Sequence, residues 1–230
     1  MESISVFDML KIGVGPSSSH TLGPWRAAGR WIVTLKEKGL FEQVETVSVD
    51  LYGSLSLTGK GHATDTAVML GLLGTDPVVF PIEDIEKEID TIHSAHKINL
   101  NGELEVPFVP SEAIRFNRKF LEFHPNGITF RAVLKDGTKK SETYYSIGGG
   151  FVVQKERKRK AKKLQDFSQF PFPTASGVDL LKHCESENKS ISQIVLQNEL
   201  SLHNQFEIDE KLKAIWNVML ESMYTGGHTE

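Results

Sequence analysis

Trp25, Ala28, Ile32 and Leu35 recur at i, i+3, i+7 and i+10, the stripe of an amphipathic helix. The residues just before them resist joining that helix. Gly13, Gly15, Pro16 and the serines Ser17, Ser18 and Ser19 all favour loop or turn. The chain must therefore pass from loop to helix between Pro16 and Trp25. A loop of small hydroxyl residues that enters a helix is a natural anion site. The first backbone N–H groups there lack helical partners, and the helix dipole favours negative charge. A carboxylate or a phosphate suits such a place.

Up to residue 153 the remaining pattern is α+β. Val47, Val49 and Leu51 alternate with Ser48 and Asp50, which predicts a strand. The apolar run 63–73 predicts a buried helix. Pro81 opens another helix, with Ile82, Ile85, Ile89 and Ile92 on one stripe and acids in its first turns. Residues 104–109 read as a short strand limited by proline. Asn126-Gly127 is a turn before a strand in which Ile128, Phe130, Ala132 and Leu134 share one face. Asp136-Gly137 predicts a hairpin turn into a strand at 141–146. Gly148, Gly149 and Gly150 break that strand, and Phe151 resumes extended structure.

Residues 154–173 read as a basic and proline-rich linker. The run 155–163 holds seven basic residues and one acidic. It lacks interleaved aromatics and so fits a solvated spacer better than a nucleic-acid patch. Residues 174–230 read as helices. Thr174 or Ser176 caps one that runs through Val178 and Leu181, and Ser190 caps the next. Ile208, Leu212, Ile215, Trp216, Met219 and Met223 mark a long amphipathic helix whose apolar face is expected to be partly unsatisfied.

Bulk properties exclude some functions. The formal net charge of −4 over 230 residues gives no broad electrostatic case for nucleic acid or an anionic membrane. No apolar run approaches the ~20 residues of a membrane helix. The start MESISVFD has no apolar core of a secretory signal, so a cytoplasmic location is expected. Cys184 is the sole cysteine. It cannot form an intrachain disulfide, and it reads as an ordinary residue rather than a metal ligand.

His62 is the candidate general base, because an imidazole titrates near neutral pH and Gly61 and Ala63 leave room beside it. Thr64 and Asp65 either orient it or cap the following helix. The Ser17–Thr21 cluster has three readings: a nucleophile with a neighbouring base, a hydroxyl-rich helix cap, or a binder of small anionic groups. It is no dinucleotide fingerprint, since Ser18 stands where a third glycine belongs, and no Gly-Lys-Ser/Thr follows. His93 and His96 share a helix face but lack a third ligand, so they read as surface residues. The glycines at 148–150 fit a close backbone approach or a strand break.

The stretch SVFDMLKIGVGPSSSHT at 5–21 resembles the N-terminal signature of iron–sulfur-dependent L-serine dehydratases (L-serine ammonia-lyases). GKGHATD at 59–65, HPNG at 124–127 and YSIGGGF at 145–151 follow in the same order as in that family. The resemblance implies a serine dehydratase β domain of the allosteric-substrate-binding type over 1–153. It implies the helical start of a truncated catalytic domain at 174–230. It also implies dehydration of L-serine to pyruvate and ammonia, a carbon–oxygen lyase reaction that uses a [4Fe–4S] cluster and no pyridoxal phosphate. On this resemblance His62 removes the Cα proton. Ser17, Ser18, Ser19, His20, Thr21, Thr64, Asp65, Ser146, Gly148 and Gly149 surround the substrate. One cysteine falls short of the three or four thiolates (about that number) that hold such a cluster. The cluster is therefore expected in a helical catalytic domain supplied in cis or in trans, with this chain inactive alone. A cut single-chain enzyme is favoured over the β subunit of a two-chain one, because 174–230 lacks strands. A homo-oligomer is expected. The rival reading is a non-enzymatic regulatory module that binds serine or a small carboxylate.

Overall fold

The computed structural model describes residues 4–154 and 170–228; the basic run 155–163 lies outside the described residues. Contacts divide the chain into two units. One is Gly13–Arg159, and the other joins Met1–Ile12 to Lys160–Glu230.

A short helix, α1 (Val6–Met9), opens the chain and belongs to the second unit. In the first unit a π-helical turn (Ser18–Leu22) runs into α2 (Gly23–Glu37), with Pro24 in its first turn. Strand β1 (Val44–Tyr52) leads to α3 (Ser54–Thr58), a 3-10 turn (Gly59–His62) and α4 (Thr64–Leu72). Helix α5 (Ile85–Ala95) precedes the strands β2 (Lys97–Leu100) and β3 (Leu104–Pro107). A turn of helix, α6 (Pro110–Ala113), then gives way to β4 (Ile114–Asn117). Strands β5 (Gly127–Leu134), β6 (Lys139–Gly148) and β7 (Phe151–Gln154) complete the unit. The α+β class is as expected.

The main sheet has the order β4-β1-β5-β6-β7, with β1 and β4 parallel and the other pairs antiparallel. Register sorts its two faces. Val47, Val49 and Leu51 pair with Ala132, Phe130 and Ile128, and all six are buried. Trp31 of α2 stacks on Phe130 with ring centroids 5.1 Å apart. Ala28, Ile32 and Leu35 of α2, with Val68 and Leu72 of α4, fill the same core. The opposite face is polar. There Asp50, 5% exposed, accepts from Arg115 Nε and Arg131 Nε, each at 2.7 Å. Burial works to raise the Asp50 pKa. The hydrogen bonds from Arg115, Arg131 and Asn117 outweigh it and hold the carboxyl below its ordinary range.

Helices α2 and α4 cross closely because Gly71 has no side chain. A Cβ there would lie 2.2 Å from the Trp25 carbonyl oxygen and 2.7 Å from Ala28 Cβ. The hairpin β2–β3 turns at Asn101-Gly102, both with positive φ. An Asn-Gly pair between Ile98, Leu100 and Leu104, Val106 is a strong hairpin signal, yet only the second strand was expected.

The second unit holds α7 (Gly177–Glu187), α8 (Ile191–Leu200) and α9 (Gln205–His228). Ser176 caps α7, and Ser190 with Gln193 forms a capping box on α8. Phe170, Ile194 and Ile208 are buried. Asn198 clasps Phe172 by both its N–H and its carbonyl. On α9, Trp216, Met219 and Met223 are exposed. The sequence reading assigns residues 1–12 to the α+β domain, whereas their contacts group Met1–Ile12 with the helical unit. Glu199 of α8, 4% exposed, accepts from Ser5 Oγ at 2.9 Å and from Val6 N–H at 2.7 Å. Phe7 meets the ring of His203 edge-on. These partners are nearly 200 positions away in sequence, which local pattern cannot register.

Two stability tests follow from this packing. In urea unfolding, Gly71→Ala should lose about 1–3 kcal/mol to overpacking, more than the roughly 1 kcal/mol of helix propensity it gains. Gly29→Ala, whose Cβ would sit 3.8 Å from the Gly71 carbonyl oxygen, should be neutral or stabilising. A stabilised Gly71→Ala would contradict the close crossing. Asp50→Asn should lose about 2 kcal/mol at neutral pH, the scale of hydrogen bonds to a charged group. Because the folded carboxyl is depressed, that stability is present above the unfolded pKa of about 3.9. The gap between wild type and variant should therefore close as pH falls below about 4 and through the folded pKa. A gap that is constant down to strong acid would rule out the ionised pairing.

Candidate functional site

Strand β1 ends at Tyr52, and Gly53 turns the chain with φ 54° and ψ −124°, a conformation open to glycine. A Cβ at Gly53 would come 2.3 Å from the Pro125 carbonyl oxygen. Ser54 N–H donates to that same carbonyl at 3.1 Å. The HPNG segment is thereby fixed beside α3. Asn126 reaches across to β6, donating from Nδ2 to the Ser146 carbonyl at 3.1 Å, and its own carbonyl accepts from Ser146 N–H at 3.0 Å. Ser146 Oγ in turn donates to the Ser19 carbonyl at 2.7 Å. This last bond requires Gly23, where a Cβ would fall 1.9 Å from Ser146 Oγ.

The loop held in this way does not present a bare helix N-terminus. The N–H groups of Thr21 and Leu22 donate to the Ser17 carbonyl, that of His20 to Ser17 Oγ, and that of Gly23 to the Ser18 carbonyl. The π-helical turn thus occupies the N–H groups of His20, Thr21, Leu22 and Gly23.

The site holds two imidazoles. The rings of His20 and His62 lie 4.9 Å apart between centroids and are tilted by 36°. Thr21 Oγ1 donates to the His62 carbonyl at 2.9 Å, and Thr64 Oγ1 donates to the His20 carbonyl at 2.6 Å. Each histidine backbone is therefore held by a hydroxyl from the other's segment. His62 Nδ1 lies 2.9 Å from the Thr58 carbonyl oxygen. A carbonyl only accepts, so Nδ1 carries the proton and Nε2 carries the lone pair. His20 lies between two hydroxyls, with Nδ1 2.9 Å from Ser19 Oγ and Nε2 3.0 Å from Ser54 Oγ. Ser17 Oγ lies 3.3 Å from Ser19 Oγ and extends the chain. Burial and the nearby charge of His62 push the His20 pKa below its ordinary value, partly opposed by a backbone hydrogen bond at Ser54. Burial likewise lowers that of His124, whose Nδ1 accepts from Asn126 N–H.

The expected site residues separate into two groups. Ser17, Ser18, Ser19, His20 and His62 are exposed or half-buried. Thr21, Thr64 and Ser146 are buried, with their hydroxyls committed to the carbonyls of His62, His20 and Ser19. These three hydroxyls hold the site's backbone. Asp65 accepts from Thr66 N–H, and Ala63, with φ 50°, caps α4 without a side-chain bond. Neither Thr64 nor Asp65 bonds the His62 ring. Gly148, Gly149 and Gly150 all have positive φ, and Gly150 packs against Leu22 and Arg26. Among the described residues no hydrogen bond joins this turn to either imidazole. Sequence reasoning missed Ser54 and Thr58. The only available signal was Gly53-Ser54 directly after a buried strand.

Residues 5–157 match the family model described as serine dehydratase beta chain. L-serine dehydratase 1 of Escherichia coli (strain K12) is 42% identical over 228 residues, 99% of this chain and 50% of that protein. The L-serine dehydratase of Haemophilus influenzae is 39% identical over 229 residues, again 99% of this chain and 50% of the relative. That of Streptomyces coelicolor is 40% identical over 219 residues, 94% of this chain and 48% of the relative. The chain spans about half the length of the curated relatives it matches. The matched region contains the whole hydroxyl and imidazole cluster built above, and on that match the chain belongs to the serine dehydratase beta chain family.

Proposed function

We propose that this chain supplies the proton-transfer side of an L-serine dehydratase, a carbon–oxygen lyase that converts L-serine to pyruvate and ammonia. One observation carries the reading: His62 Nδ1–H is held by the Thr58 carbonyl, so Nε2 offers its lone pair. In the proposed step Nε2 takes the Cα proton, the Cα electron pair forms the Cα=Cβ bond, and the Cβ–O bond breaks with its electron pair leaving on the hydroxyl oxygen. That oxygen takes up a proton and departs as water, so that serine loses one water overall. The aminoacrylate so formed becomes iminopyruvate, which hydrolyses to pyruvate and ammonia. A charged neighbour would oppose protonation of His62. His20, whose pKa is lowered mainly by burial, avoids this by staying neutral at pH 7. In this reading Ser17, Ser18, Ser19, His20 and Thr21 hydrogen-bond the substrate's carboxylate and amino groups.

The [4Fe–4S] cluster of the resembling enzymes does not fit the donors of this chain. Cys184 is the sole cysteine and is half-buried on α7. Among the described residues no group of three or more His, Cys, Asp or Glu could hold a metal ion. The reading therefore assigns the cluster to a cysteine-bearing helical partner, in cis or in trans, and takes this chain alone to be inactive. No described helix is long and apolar enough to cross a membrane, which accords with a cytoplasmic enzyme. A homo-oligomer belongs to the same proposal.

The test is anaerobic pyruvate formation from L-serine after iron–sulfur reconstitution, with this chain alone and with the cysteine-bearing remainder joined or added. Activity is expected only in the joined or mixed sample. Serine binding without turnover in every sample would favour a regulatory module. In the complete enzyme His62→Ala should lower kcat by about 10²–10⁴-fold, the usual worth of a general base, with the cluster's absorbance intact. Near-normal turnover would remove His62 from the role. A histidine NMR titration of this chain should place the His20 midpoint below the ordinary value of about 6.5. His62→Ala should raise that midpoint without fully restoring it, because burial is the larger cause. A midpoint unmoved by His62→Ala would show that the rings do not sense each other.

A further inference from the structure

We infer that the single turn α3 positions both imidazoles, with the Ser54 hydroxyl orienting His20 and the Thr58 carbonyl fixing His62. The inference rests on the proton-transfer reading of His62 and adds two positioning residues to it.

The geometry is continuous. His20 Nε2 meets Ser54 Oγ at 3.0 Å, and His62 Nδ1 meets the Thr58 carbonyl at 2.9 Å. Ser54 and Thr58 stand four residues apart on one turn, and Thr58 Oγ1 donates to the Ser54 carbonyl at 3.0 Å. The two anchor points are thus tied to each other before either ring arrives. The turn itself is fixed from behind. Gly53 N–H donates to the Lys119 carbonyl at 2.8 Å, Ser54 N–H donates to the Pro125 carbonyl, and buried Leu55 joins the core. The two rings held by this turn lie 4.9 Å apart between centroids.

Anchoring of this kind matters to a proton transfer. A free imidazole exchanges tautomers and rotates about its side-chain bonds, and each wrong state withholds the lone pair from the substrate. At Thr58 the acceptor is a backbone carbonyl, so the His62 tautomer does not depend on which residue stands there. At Ser54 the acceptor or donor is a side chain, so the His20 anchor can be deleted by substitution.

The experiment uses the ¹⁵N-labelled 230-residue chain and long-range ¹H–¹⁵N spectra of its histidine rings. His62 should show one neutral tautomer with the proton on Nδ1, in the wild type and in Ser54→Ala alike. The His20 nitrogens should shift in Ser54→Ala and return in Ser54→Thr. In the complete enzyme Ser54→Ala should lower kcat by about 10–100-fold, the scale of a misplaced catalytic group. KM should change far less than kcat, and Ser54→Thr should restore most of the loss. Should Ser54→Ala not fold, Ser54→Cys weakens the same bond with little change of shape. Unmoved His20 nitrogens in a folded variant, or a His62 proton on Nε2, would overturn the inference. The ring spectra do not depend on turnover. A complete enzyme that leaves L-serine untouched, with the ring shifts as expected, would defeat the dehydratase reading and support the positioning one.

Discussion

Two crossed hydrogen bonds hold the site together. Thr21 donates to the carbonyl of His62, and Thr64 donates to the carbonyl of His20. Both threonines are buried, while the two histidines whose carbonyls they hold are half-buried. Because the bonds cross, the loop bearing His20 and the turn bearing His62 are held against each other rather than each being held separately. The pairing of the imidazoles is thus a property of the backbone, and the side chains inherit it.

The sheet gives these segments a common base. Leu51 near the end of β1 pairs with Ile128 near the start of β5, and Ile128 pairs with Tyr144 near the end of β6. Ser54, Asn126 and Ser146 follow or precede those residues closely, so all three emerge at one end of the sheet. That end also receives the Ser17–Thr21 loop, through Ser146 Oγ and the Ser19 carbonyl. On the polar face Asp50 binds one arginine from β4 and one from β5, the two neighbours of β1. A shift of one residue in either pairing would move Asp50 away from the arginine of that strand. The same charge cluster that makes the outer face soluble therefore fixes the register that aligns the site.

Periodic elements were legible in the sequence. The Trp25 to Leu35 stripe became α2, the alternation at Val47 became β1, and the run after Asn126-Gly127 became β5. Several elements without room for a period were not. Helix α3 has five residues, and β2 and β4 have four each. His62 read as a candidate base from its small neighbours and from family resemblance, but its tautomer was not legible, because the deciding group is a backbone carbonyl with no sequence signature. Thr21, Thr64 and Ser146 read as substrate contacts since polar residues in a hydroxyl-rich motif invite that view. Only burial and named partners separate a hydroxyl that faces solvent from one that holds a backbone.

The second imidazole is best understood through charge. Two rings at 4.9 Å cannot both be protonated without repulsion, and the effect is larger where water is partly excluded. Burial settles which ring yields, since it lowers His20 and leaves it the neutral partner. Serine hydroxyls suit that neutral state, because a hydroxyl can donate to one ring nitrogen and accept from the other. A carboxylate in place of Ser54 would instead favour the charged ring and set His20 against any proton arriving on His62. On the proposed function, the hydroxyl-rich character of the loop would keep one imidazole uncharged beside another that gains a charge.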